Sequence, residues 1–180
     1  MPLPIGHTAI GLAAAETFNS ASPKRSRVAQ FMFITVLANL PDIDMLAGLF
    51  LYGNGQVFHR GATHSLLFAL VAGYGASHLW RIWQRIPRLG AQLCILLVLS
   101  HIVADMLLTS APVSLLWPLE SNPLTGYRGW GDVIHMVAFQ NIQDAGIVVA
   151  VLLYMLVLRT IRSGVAVPKP FAGLKRRLKS

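Results

Sequence analysis

Apolar runs and polar breaks divide this chain into blocks of membrane length. Predominantly apolar stretches run from about Val28 to Leu51, His64 to Trp83, Ala91 to Leu108 and Ala145 to Ile161. Each is near the ~20 residues a helix needs to cross ~30 Å of hydrocarbon. The pattern therefore predicts four full spans. A fifth stretch, Ile5–Phe18, is apolar and rich in Ala and Gly but short. It fits either a half-span or a helix packed inside the bundle. No internal repeat or second domain is visible. The expected fold is all-α, a polytopic transmembrane helix bundle: one membrane-embedded domain over residues 1–162, then a basic cytoplasmic tail over 163–180.

Composition strengthens this picture. Of the 180 residues, 54% are hydrophobic and 12% charged, and the mean hydropathy is +0.58. A soluble domain usually carries roughly 25% charged residues, and a chain this short could not hide so much apolar surface in one core. The net charge of +8 matters mainly through its placement. Lys24, Arg25 and Arg27 precede the first span. Arg81, Arg85 and Arg88 join the second to the third, and Lys169, Lys175, Arg176, Arg177 and Lys179 follow the last. An even number of spans puts all three clusters on one side, which the positive-inside rule makes the cytoplasm. The expectation is a multi-pass protein of a bacterial inner membrane, its C-terminus cytoplasmic and its 52–63 and 109–144 loops outward. The tail reads as a segment drawn to anionic lipid. No basic stripe interleaves with aromatics, so direct nucleic-acid binding is not expected. Cys94 is the single cysteine and says nothing about redox compartment. The first apolar stretch lacks a basic leader, so it is not read as a cleavable signal.

The polar residues inside this apolar chain carry the chemistry. There are seven acidic residues and six histidines. Three of the acids and four of the histidines fall in four short motifs: Gly6-His7-Thr8, Leu40-Pro41-Asp42-Ile43-Asp44, His59-Arg60-Gly61-Ala62-Thr63-His64-Ser65 and Ser100-His101-Ile102-Val103-Ala104-Asp105. Ionisable groups within spans are expensive and usually functional. His101 and Asp105 share one helix face, a turn apart. They fit a divalent-metal pair or an interhelical hydrogen-bonded pair equally well. Asp42 and Asp44 would point apart on a regular helix. Pro41 removes a backbone hydrogen bond, and a break there could turn both inward. The alternative is a helix end capped by Asp42 at the interface. Thr63 is the expected N-cap of the second span, with His64 in its first turn. His59 and His64 read as ligands or as ordinary interfacial residues, and Arg60 between them suits a phosphate or carboxylate. His7 joins only if its helix enters the bundle.

Depth provides a cross-check. The Asp pair lies roughly 21–24 Å into the first span, and His101 and Asp105 roughly 15–21 Å into the third, at the helical rise. His59 and His64 sit at the outer mouth. The motifs thus converge on the outer half of the membrane. His78 reads as a packed or interfacial histidine, and Glu120, Asp132, His135 and Asp144 as residues of the outer loop or its edge, any of which could join the site though most are expected to be solvated. Trp117, Tyr127 and Trp130 suit an interfacial belt, and Leu115–Leu119 either belongs to it or forms a re-entrant lid.

The ordered set His7-Thr8, Pro41-Asp42-Ile43-Asp44, His59-Arg60-Gly61-x-Thr63-His64-Ser65, His101-x-x-x-Asp105 and Leu116-Trp117-Pro118 resembles the inner-membrane-associated metal-dependent hydrolases, also called the LexA-binding inner-membrane family. The resemblance covers about residues 1–160. A more distant similarity is to zinc-dependent phospholipase C, where an early His, an Asp, a later His and a His-x-x-x-Asp pair surround a metal cluster. Together these imply one or two divalent ions, zinc by preference. The ligands would come from His7, Asp42, Asp44, His59, His64, His101 and Asp105. One of the two paired aspartates, Asp44, would bridge metals or act as general base, and Arg60 would hold an anionic headgroup. The implied activity is hydrolysis of a phosphoester in a lipid or lipid-linked substrate at the outer face. Two other readings stand beside it. One is a non-catalytic metal-binding or transporting protein. The other is a scaffold whose cytoplasmic segments bind a regulatory partner such as LexA.

Overall fold

A computed structural model describes residues 4–18, 27–55, 57–108, 112–119 and 143–163. Among the described residues the regular elements are helices: α1 (Pro4–Phe18), α2 (Arg27–Ala38), α3 (Ile43–Tyr52), α4 (Leu66–Ala76), α5 (Leu79–Ile82), α6 (Ala91–Leu108) and α7 (Gln143–Arg162). Short 3-10 turns at Leu40–Asp42 and Ala62–His64 introduce α3 and α4.

The core forms around α6. Leu93, Cys94, Leu97, Val98, His101, Ile102, Ala104 and Asp105 are all buried along it. α1 packs against α2, α6 and α7, so it enters the bundle. Small residues permit this. His7, Gly11 and Ala15 follow one another at four-residue spacing and are buried. A Cβ on Gly11 would come within 2.7 Å of Ala38 Cβ. At the α4–α6 contact a Cβ on Gly73 would lie 2.5 Å from Ile95 Cα. Close backbone approach of this kind is how helices associate where apolar burial offers no preference over lipid.

Outward faces are apolar. Val149, Leu152, Leu153, Leu156, Val157 and Ile161 of α7 are exposed, as are Leu46, Leu49 and Phe50 of α3 and Leu67, Leu70 and Val71 of α4. Apolar patches of this extent mark a membrane or a partner surface. The other end of α7 is tied to α1 by polar contacts. Arg162 donates to the Glu16 and Thr17 carbonyls at 2.6 and 2.8 Å, satisfying acceptors that a helix end leaves open.

The expectation of four full spans needs correction. Among the described residues, two helices are long and apolar enough to cross a membrane, Ala91–Leu108 and Ala145–Arg162. A third crossing exists only if the bent pair Arg27–Ala38 and Leu40–Tyr52 counts as one span. That pair bends by 58°. Pro41 sits buried in the 3-10 turn at the bend, and the Asn39 side chain donates there to Thr8 Oγ1 and the Thr35 carbonyl at 3.0 and 2.8 Å. The expected span 64–83 is shorter than predicted. It begins only at Leu66 and breaks after Ala76, where the Ser77 hydroxyl takes the Tyr74 carbonyl at 2.6 Å. A second correction concerns the start of α4. Ser65 caps it, accepting from the Phe68 N–H at 3.1 Å. Thr63 and His64 lie before the helix, in the 3-10 turn.

Candidate metal centre

The 58° bend solves the geometric problem posed by two aspartates two residues apart. Asp42 ends a 3-10 turn and Asp44 opens α3, so the changed helical pitch lets both face the same interior. Asn39 also anchors α1 at this point through Thr8, which fixes His7 one residue away. α6 carries His101 and Asp105 on its buried face. The loop before α4 brings His59, Arg60, Thr63 and His64 back over them.

All seven candidate ligands converge. His7, His101 and Asp105 form one group; Asp42, His64 and His101 a second; Asp44, His59 and His64 a third. Within each group the potential ligand atoms lie within 4.8 Å of one another. His101 belongs to two groups and His64 to two, so the three adjoin as one cluster. Asp42 Oδ1 lies 3.3 Å from His101 Nε2, 3.6 Å from His64 Nε2 and 3.8 Å from His59 Nδ1. Asp105 lies 3.5 Å from His7 Nε2 and 3.7 Å from His64 Nε2. The His7 and His101 rings stack, centroids 3.7 Å apart.

These residues are buried, and that decides what they can do. His7, His64, His101, Asp44 and Asp105 are each at most 5% exposed. Among the described residues, three carboxylates share the site with one guanidinium, that of Arg60, whose Nε donates to Asp105 Oδ2 at 3.1 Å. Buried carboxylates are tolerated only with compensating positive charge. Moreover, Nε2 of His7, His59, His64 and His101 and Oδ1 of Asp42 are buried without a hydrogen-bond partner. Buried polar atoms normally have one. His101 shows what its bare nitrogen is for. Its Nδ1 donates to the Ala38 carbonyl at 2.8 Å, because a carbonyl can only accept. That contact leaves Nε2 with its lone pair directed into the cluster, the arrangement that second-shell contacts impose on metal-binding histidines. Imidazole and carboxylate together fit a divalent ion such as zinc.

A cleft of ≈ 850 Å³ opens beside the cluster, lined by Asp44, His59, Arg60 and Thr63 with apolar Val57, Phe58 and Trp117 among its walls. Arg60 has a φ of 67°, a left-handed conformation unusual away from glycine and concentrated at functional sites. Its backbone is held on both sides: N–H to Asp44 Oδ2 at 3.2 Å, and carbonyl from the Ser114 N–H at 3.1 Å. The Leu115 carbonyl accepts from Leu66 N–H at 3.0 Å. The 112–119 segment is therefore pinned along the cleft, where Trp117 is a wall rather than only an interfacial belt residue.

Two contributors escaped the sequence reading. Thr63 was assigned to the helix cap; its hydroxyl instead donates to Asp44 Oδ2 at 2.6 Å. Its place inside the His59–His64 motif was the available signal. The Ala38 carbonyl carries no sequence signal. His78 stands apart, its Nδ1 3.0 Å from both Ser77 Oγ and the Tyr74 carbonyl. Glu120, Asp132, His135, Tyr127, Trp130 and the basic tail lie outside the described residues, as does the side chain of Asp144.

No solved structure matches. Inner membrane protein YbcI of Escherichia coli (strain K12) is 36% identical over 122 residues, which cover 66% of this chain and 68% of that protein. A family model described as YdjM inner membrane protein matches residues 1–166. That range contains the apolar helices and all seven clustered side chains, and the chain belongs to the YdjM family of inner membrane proteins.

Proposed function

We propose that this protein is a metal-dependent hydrolase acting on a phosphoester of a lipid or lipid-linked substrate. The observation that carries the reading is the set of buried, unpartnered imidazole nitrogens and Asp42 Oδ1, set beside a cleft that Arg60 lines. A bound divalent ion would activate water and offset charge on the phosphoryl oxygens. His7, His64, His101, Asp42 and Asp105 would hold one or two such ions, zinc by ligand type. Arg60 holds the anionic group: its Nε is engaged by Asp105, and its remaining guanidinium nitrogens are left for a phosphate. Val57, Phe58 and Trp117 exclude water and take the apolar part of the substrate.

Orientation depends on the number of crossings. If the bent pair Arg27–Ala38 and Leu40–Tyr52 and the shorter helix Leu66–Ile82 both cross, the count is even and all the basic clusters share one side, which the positive-inside rule makes the cytoplasm. Polar residues in α6 support an enclosed site over a transport path. His101 and Asp105 occupy its second half, while residues 93–99 are apolar.

The test is hydrolysis of bis(p-nitrophenyl) phosphate and of phosphatidylglycerol by detergent-purified protein. Turnover is expected with zinc, lost on chelation and restored by re-addition. Zinc-loaded protein that leaves both phosphoesters intact would favour the non-catalytic metal-binding reading.

A further inference from the structure

The two paired aspartates differ in a way that assigns them different work. Asp44 is surrounded by donors. Oδ1 lies 3.2 Å from His59 Nδ1. Oδ2 accepts from Thr63 Oγ1 at 2.6 Å and from the Arg60 N–H at 3.2 Å, and lies 3.2 Å from His64 Nδ1. A carboxylate offers about four acceptor sites, and four donors already face this one. Asp42 is the opposite case, its Oδ1 buried and without a hydrogen bond between the Nε2 atoms of His64 and His101.

Thr63 fixes the tautomer of His64. Its hydroxyl proton is committed to Asp44, since a carboxylate only accepts. The Thr63 oxygen, 3.2 Å from His64 Nδ1, therefore faces that nitrogen as an acceptor. Both neighbours of Nδ1 are acceptors, so Nδ1 carries the proton, and in the neutral ring Nε2 keeps its lone pair. Nε2 is the atom near Asp42 and Asp105. The same carboxylate takes the Nδ1 proton of His59, whose Nε2 is also bare.

We propose that Asp44 and Thr63 are positioning residues, not ligands: they hold His64 so that it ligates through Nε2, alongside Asp42. This rests on the metal-site reading above and narrows it, because the grouping of Asp44, His59 and His64 as a separate ion site is then excluded. Outer-shell carboxylates of this kind typically alter metal affinity by roughly 10–100-fold rather than abolishing it.

The experiment uses full-length protein in detergent, loaded with zinc or cobalt. Imidazole nitrogen NMR of the wild-type protein should show His64 protonated at Nδ1 and metal-bound at Nε2. Metal titration should show Asp44→Asn keeping the wild-type stoichiometry with affinity weakened roughly 10–100-fold. Thr63→Ser should behave as wild type, Thr63→Val should weaken binding, and Asp42→Asn should lose stoichiometric binding. Metal on His64 Nδ1, or loss of the ion from Asp44→Asn as complete as from Asp42→Asn, overturns the proposal. The NMR arm needs no variant, so misfolding of a mutant does not rescue it. Wild-type protein that takes up no ion would instead overturn the underlying metal-site reading, and this inference with it.

Discussion

Replacing His101 and Asp105 together with alanine should empty the metal centre while leaving the helices in place. His101 is shared by two of the three ligand groups, and its Nε2 is oriented by the Ala38 carbonyl. Asp105 balances His7 and Arg60. Removing both takes away one group's carboxylate and the imidazole that joins it to the next. The loss should exceed the roughly 10–100-fold associated with an outer-shell partner. Loss of Asp105 leaves Arg60 without its carboxylate, a cost of the kind a broken buried ion pair carries, but the apolar body of α6 over residues 93–99 is untouched, so most helical content should survive the change. Metal analysis of the purified double variant, alongside circular dichroism, checks this. Full zinc content after both substitutions would show that the ion sits elsewhere.

The second large effect is expected at Arg60. Its backbone and side chain do separate jobs, and Arg60→Gly divides them. Glycine adopts a φ of 67° at no steric cost, and the backbone contacts to Asp44 and Ser114 do not need the side chain. The glycine variant should therefore keep the backbone path of the loop, and although Asp105 loses its guanidinium partner, the bound ion still supplies the compensating charge, so the metal-loaded variant should fold. Phosphodiester turnover should fall by about 10²–10³, the scale of losing one preorganised group that stabilises developing charge. Arg60→Lys should recover only part of this, because an ammonium lacks the fork geometry. Unchanged kcat/KM in Arg60→Gly would remove Arg60 from substrate binding.

What was legible in the sequence depended on how local its cause was. The range of α6 coincides with the apolar run Ala91–Leu108, because hydropathy is a signal carried by the segment itself. The break at Pro41 was legible for the same reason, since a missing N–H is a local fact. The candidate cluster could be read because charged residues are scarce in an apolar chain, so each one is informative. Span count was less accessible. Residues 64–83 have the composition of a span, but the helix starts only after its Ser65 cap and a turn at Ser77 and His78 interrupts it, leaving Leu66–Ile82 short of a full crossing. The expected cap at Thr63 fails because Asp44, nineteen residues earlier, claims the threonine hydroxyl, and Ser65 caps the helix in its place. His7 was ambiguous until the contact of Asn39 with Thr8 placed α1 inside the bundle. The division of labour between Asp42 and Asp44 was invisible, because it depends on which donors the loop brings to each carboxylate.

The central claim is that this buried Asp/His cluster binds a divalent metal, and metal analysis of the purified wild-type protein tests it most directly. The account predicts one or two equivalents of zinc per chain. They should be released reversibly on acidification, because the ligand nitrogens must be deprotonated to bind. Protein that is metal-free as purified, and remains so after dialysis against zinc at neutral pH, would contradict it.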